Sequence, residues 1–263
     1  MDEFQVKMDS QNENNDSVNS TCIQLKRLIW AFIILIPCVT LSGISLLVTD
    51  YRRPRGNYPQ DFFHSNFPFV PCLLSLNVIM FVAAFIELFV ILFDNRRLII
   101  IKRVAILFSI LFMLRNLSMI VTSLPDPSPL CRRVSTEQLN INPRSIFDAL
   151  TGITCGDMIF SGHTITLLMP PMLHMHYFGG IMSIFFWINA FVGTIFILLS
   201  RLHYSIDIFI AYLVVPFVFW IYHLVAEHEF LFQDIPSLFF WYFRNMEWNG
   251  VLDKKERHHV HEY

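Results

Sequence analysis

Residues 28–48 read LIWAFIILIPCVTLSGISLLV and residues 70–93 read VPCLLSLNVIMFVAAFIELFVILF, with Glu87 the one charged side chain in either run. Each run is long enough to cross a bilayer, which takes roughly 20 apolar residues in a helix. Working outward, further apolar runs fall at 104–124, 158–177, 179–199 and 206–226. In lipid every backbone polar group must be satisfied within the segment, so such runs are helices. The expected fold is therefore all-α: a polytopic membrane protein with six transmembrane helices in one bundle. The run at 158–177 is the least regular, because Pro170 and Pro171 interrupt it and Ser161, Gly162 and His163 stand at its start.

Composition agrees. Of 263 residues, 54% are hydrophobic and 15% charged, the net charge is −2, and 27 are Phe. A soluble domain of this size carries about a quarter charged residues. The Asn/Asp/Ser-rich start reads as a disordered cytosolic tail over 1–27, followed by a catalytic membrane domain over 28–226 and a cytosolic tail over 227–263. There is no internal repeat and no nucleic-acid signature. Lys and Arg number eleven on the side of the termini and seven on the other, which orients both termini to the cytosol. The loops preceding the fourth and sixth spans then share the lumenal or exoplasmic face.

Those loops carry the chemistry. Cys155-Gly-Asp-Met-Ile-Phe-Ser-Gly-His163-Thr and His203-Tyr-Ser-Ile-Asp207 each put a histidine where a hydrophobic helix begins. Asp207 follows His203 by one helical turn, so a helix would bring the acid to the imidazole on one face. Neutral imidazole attacks phosphorus when a carboxylate fixes its tautomer and stabilises the cation that forms. A second histidine can protonate the leaving alkoxide and later deprotonate the incoming alcohol. His203 with Asp207 fits the first role and His163 the second. Gly162 lets backbone approach a phosphate, and N–H groups at the start of the fourth span could bind its oxygens. Ser161 and Arg201 adjoin the two histidines. Cys131 and Cys155 fall on the same exoplasmic loop, where they could pair as a disulfide.

Cys155-Gly-Asp and Ser161-Gly-His-Thr164, with His203-Tyr-Ser-Ile-Asp207 and Phe219-Trp-Ile-Tyr222-His223, resemble the two signature blocks of the sphingomyelin synthases. Arg115-Asn-Leu-Ser-Met119 through Pro127 resembles that family's third-span block, and Pro59-Gln-Asp61-Phe-Phe is a weaker echo of its first-loop block. The resemblance covers roughly residues 59–223. It implies transfer of phosphocholine from phosphatidylcholine to ceramide, releasing diacylglycerol, through a phosphohistidine and without metal or other cofactor. It matches His163, His203 and Asp207 to the catalytic triad and Asp157 to a further acidic residue of the site. Glu137 is the counterpart of a loop glutamate, and Arg115 lies in the matched third-span block. Golgi and plasma membrane both fit an exoplasmic site, and oligomeric state is left open.

Other readings remain. A lipid phosphate phosphatase uses a related histidine pair on water, but its Lys-x6-Arg-Pro is absent and Arg201 lies only two residues before His203. A ceramide phosphoethanolamine synthase differs only in pocket volume. An inactive ceramide-binding scaffold would keep the fold without turnover.

Overall fold

A computed structural model describes residues 2–52, 59–129, 141–151, 158–228 and 244–248, with side chains in the first helix from Ser20 onward. Among these residues all regular structure is helical: α1 (Asp2–Arg52), α2 (Phe62–Asn66), α3 (Leu73–Phe93), α4 (Arg97–Val121), α5 (Pro143–Thr151), α6 (Gly162–Tyr177), α7 (Met182–Leu199) and α8 (Ser205–Glu227), followed by one π-helical turn at Arg244–Trp248. The backbone of α1 begins inside the stretch read as a polar tail, and Gln24 and Arg27 are already buried against the bundle.

Five helices are long and apolar enough to cross a membrane: α1 from Ser20, α3, α4, α7 and α8. The run at 158–177, expected as a sixth full span, forms the shorter α6 of 16 residues. At 1.5 Å per residue it is about 24 Å long, less than the roughly 30 Å hydrocarbon core. Its position explains its length. It packs against α3, α4, α7 and α8, and an unbroken stretch from Leu167 to His174 is buried. A helix walled by others need not match the bilayer, and Pro170 and Pro171 lie within its buried stretch.

Gly193 on α7 makes the central packing possible. A Cβ there would lie 2.6 Å from Leu167 Cδ2, so the buried Leu167 of α6 fills the space that the missing side chain leaves. α1 lies along α4, tied by Asn116 Nδ2 donating to the Cys38 carbonyl at 3.2 Å. The faces turned away from the bundle are Phe-rich: Phe81, Phe85, Phe93 and Phe217 are exposed, as lipid-facing residues should be.

One end of the bundle is closed by charge. Lys102 and Arg103 belong to α4 rather than to a loop, and both are buried because Glu247 lies 3.0 Å from Lys102 Nζ and 3.3 Å from Arg103 Nε. Burial alone would raise the Glu247 carboxyl, but the two cations hold it at about 2. Tyr222 donates to the same carboxylate at 2.7 Å, and His223 Nε2 meets Tyr177 Oη at 2.7 Å. The second half of the α8 signature thus serves this end, a helix length from His203. One turn before Tyr177, the buried His174 of α6 pairs with Glu87 of α3 at 2.9 Å.

Candidate active site

The site lies at the opposite end, where α6 and α8 begin. Ahead of α6 the chain makes a tight turn with Met158 and Phe160 buried. Between them Ile159 has φ 82°, a left-handed conformation that a β-branched residue avoids at a cost of about 1–3 kcal/mol. Its N–H donates to Asp207 Oδ1 at 2.9 Å, so the α8 carboxylate holds the strained turn in place. Ser161, wholly buried, caps α6 by accepting from the Thr164 N–H at 3.2 Å. His163 is therefore the second residue of α6, fixed through that turn.

Gly162 has a specific neighbour. A Cβ at this position would stand 3.1 Å from Arg115 Nε and 3.3 Å from its Cζ. The buried Arg115 guanidinium of α4 thus lies flush against the first turn of α6. Helix N-termini carry partial positive charge, and the added guanidinium makes this corner suited to an anionic phosphate.

His203 sits between α7 and α8, outside the helix. The expectation that His203 and Asp207 share a helical face is corrected accordingly: α8 starts at Ser205, and Asp207 is its third residue. Asp207 Oδ2 accepts the Tyr204 N–H at 3.0 Å, closing the helix start, and the same oxygen is 3.6 Å from His203 Nδ1. That separation brings the carboxylate alongside the imidazole but exceeds a hydrogen bond, and such contacts often tighten only with substrate bound. The carboxylate is fully buried and the imidazole nearly so. Across the site, the His163 and His203 ring centroids are 5.7 Å apart with planes at 65°. Both histidines and the acid meet at one end of one bundle.

Of the other residues expected here, Arg115, Ser161 and Gly162 adjoin His163, as described. Arg201, at φ 52°, turns its Nη2 to the carbonyls of His64 (3.0 Å) and Phe67 (3.4 Å), holding α2. Asp157, Glu137, Cys131 and Cys155 lie outside the described residues.

Two participants went unassigned in the sequence. Asp61 caps α2 through Oδ1, which accepts from the N–H groups of Phe63 (2.9 Å) and His64 (3.1 Å). It also reaches α8, accepting the Ser205 N–H at Oδ2 (2.8 Å) and the Ser205 hydroxyl at Oδ1 (3.0 Å). Burial pushes this carboxyl up, yet the Ser205 and His64 hydrogen bonds outweigh it and hold the group below its ordinary value. The ring of His64 faces the His203 backbone and stands 5.8 Å from the Tyr204 ring. Burial lowers the His64 imidazole despite the counter-pull of Asp61. The signals available were Asp61 as an N-cap residue type before Phe-Phe-His and the weak first-loop block. Beside them a groove of about 370 Å³ runs past Asp61, Phe62, Leu124, Tyr204, Ser205 and Phe209. Phe62 and Phe209 are exposed, so the groove opens sideways from the bundle.

Comparison with known proteins agrees with these blocks. Residues 154–224 match the family described as PAP2 superfamily C-terminal, a segment that runs from the α6 turn to the end of the α8 signature. A Caenorhabditis elegans protein named phosphatidylcholine:ceramide cholinephosphotransferase 1 is 30% identical over 240 residues, covering 83% of this chain and 51% of that protein. The human protein of the same name is 28% identical over 223 residues, covering 76% of this chain and 53% of its own. Human sphingomyelin synthase-related protein 1 is 30% identical over 203 residues, covering 71% and 49%. The chain spans about half the length of the curated relatives it matches. It is a polytopic all-α membrane protein homologous to the sphingomyelin synthase family, with a PAP2 superfamily C-terminal segment.

Proposed function

We propose that this chain is a ceramide cholinephosphotransferase, moving phosphocholine from phosphatidylcholine to ceramide and giving sphingomyelin and diacylglycerol. The observation that carries the reading is the approach of His163 and His203 to 5.7 Å between ring centroids, with Asp207 behind His203. A nucleophile poised at about 3–3.5 Å from phosphorus and an acid at about 2.6–3.2 Å from the leaving oxygen must flank the same group. Two rings this close can do so. The names of the relatives point to the same donor and acceptor.

The reaction runs as two displacements. His203 turns Nδ1 toward Asp207, leaving Nε2 to attack phosphorus. The bond from phosphorus to the diacylglycerol oxygen breaks, and protonated His163 delivers its proton to that oxygen. The phosphocholine now rests on His203 as a cationic phosphoramidate, which the Asp207 carboxylate stabilises. His163, now neutral, takes the proton from the ceramide hydroxyl, whose oxygen attacks phosphorus and frees His203. Arg115 and the first turn of α6 face the non-bridging oxygens, and the family resemblance adds Asp157 and Glu137 as substrate-binding residues. With 1–27 and 227–263 on the cytosolic side, the site is exoplasmic, in the Golgi or plasma membrane.

The test uses purified protein in vesicles of phosphatidylcholine or phosphatidylethanolamine with fluorescent ceramide. Sphingomyelin from the first vesicles supports the proposal. Product only from the second reassigns the headgroup to ethanolamine. Hydrolysis of phosphatidate without ceramide transfer would make the protein a phosphatase.

A further inference from the structure

Asp61 and Ser205 are 144 residues apart in sequence, yet they are joined twice, through the Ser205 N–H and through its hydroxyl. Ser205 is the first residue of α8 and stands two residues from His203 and two from Asp207. The same Asp61 carboxylate accepts the Phe63 and His64 N–H groups in the first turn of α2. Four hydrogen bonds to one carboxylate therefore fuse the beginnings of two helices. A second strut ties α2 to the same segment, from Arg201 Nη2 to the His64 carbonyl. Between the two struts, the His64 side chain is about nine-tenths buried against the His203 segment. None of these contacts is needed to build α8 itself, whose start is already closed by Asp207 on the Tyr204 N–H.

We infer that Asp61 is a positioning residue, a latch that clamps α2 over the start of α8 and thereby fixes His203 and the adjoining wall of the lateral groove. This rests on the proposed transferase reading for its catalytic consequence, though not for its geometry. Charge-assisted hydrogen bonds are about twice as strong as neutral ones, which suits a single carboxylate to this task. It also accounts for Ser at the second position after His203: its N–H and hydroxyl both point to Asp61.

The discriminating variant is Ser205→Pro. Proline is favoured at the first position of a helix, and Tyr204 with φ −70° and ψ 156° already has the conformation required before proline. The substitution removes both donors to Asp61 and leaves α8 able to form. Asp61→Asn is its complement. It keeps an oxygen to cap α2 and presents an NH2 donor where the Ser205 N–H needs an acceptor. Each variant, and the pair combined, is measured in the full-length protein in phosphatidylcholine vesicles with fluorescent ceramide. We expect kcat to fall about 10–100-fold in each single variant with KM within about twofold, and the double variant to be no slower than the slower single. Hydrogen exchange over residues 62–66 should quicken in both, with the body of α8 protected as in the wild type. Wild-type kcat in Ser205→Pro, multiplicative losses in the double variant, or unchanged exchange over 62–66 would each overturn the latch. If the wild-type protein transfers nothing, the functional reading fails, and hydrogen exchange alone decides the latch. If Ser205→Pro does not fold, Asp61→Asn carries the same comparison.

Discussion

Replacing Asp207 with asparagine separates two duties of one carboxylate. Oδ1 holds the Ile159 N–H at 2.9 Å, Oδ2 holds the Tyr204 N–H at 3.0 Å, and Oδ2 is the atom nearest His203. An asparagine has one acceptor oxygen, so one of those two buried N–H groups must face an NH2. The lost bond to a charged group costs about 1.5–3 kcal/mol. If it is the Ile159 bond, the strained turn relaxes and His163 moves with it. The catalytic cost is larger. A carboxylate 3.6 Å from an imidazolium, at an effective dielectric of about 20, contributes on the order of 4–5 kcal/mol. At 1.36 kcal/mol per decade, that corresponds to about a thousandfold in rate. The assay is steady-state transfer to fluorescent ceramide in vesicles, with thermal unfolding followed alongside. We predict kcat about a thousandfold lower, KM changed by no more than a few-fold, and a lowered midpoint of unfolding. A kcat within tenfold of the wild type would refute the claim that Asp207 stabilises charge on His203.

Three further outcomes follow from contacts elsewhere. Gly162→Ala should slow transfer by about tenfold, because its methyl would crowd the buried Arg115 guanidinium and force it to give; kcat and thermal midpoint measured together check this, and an unchanged kcat would refute it. Gly193→Ala should destabilise the bundle by about 1–3 kcal/mol, because its methyl would overlap the buried Leu167, and denaturant unfolding in detergent reads it. Asp61 has a folded-state value below its ordinary one, so its contribution is fully present above about pH 4 and is lost as pH falls through the depressed value. Exchange over residues 62–66 should therefore quicken on acidification below about pH 4, and the Asp61→Asn variant should lack that step.

How much of this was legible in the sequence depended on distance along the chain. The apolar runs disclosed the helices because bilayer thickness is a strong local constraint. The meeting of His163 and His203 could be foreseen because α6 leads away from His163 and α7 returns to His203, so the chain comes back to the end of the bundle it left. The relation of His203 to Asp207 was misread in detail. A four-residue spacing suggests a shared helical face, whereas the acid caps a helix that starts after the histidine. The short α6 was hidden for a similar reason: hydropathy does not distinguish a helix bathed in lipid from one walled by others. Nothing local marks Lys102 and Arg103 as buried, since their partner Glu247 lies 145 and 144 residues further along the chain. Asp61 was visible only as a weak block for the same reason, its partner Ser205 being equally remote. Contacts between distant polar residues leave no period in the sequence.

The central claim is that phosphorus passes through His203. Protein incubated with phosphatidylcholine labelled in its headgroup, with ceramide withheld, should accumulate label that survives alkaline quenching, is lost in acid, and maps by peptide mass spectrometry to His203. Adding ceramide before the quench should discharge it into sphingomyelin. Label on His163, or no labelled protein under conditions where transfer to ceramide proceeds, would contradict the account.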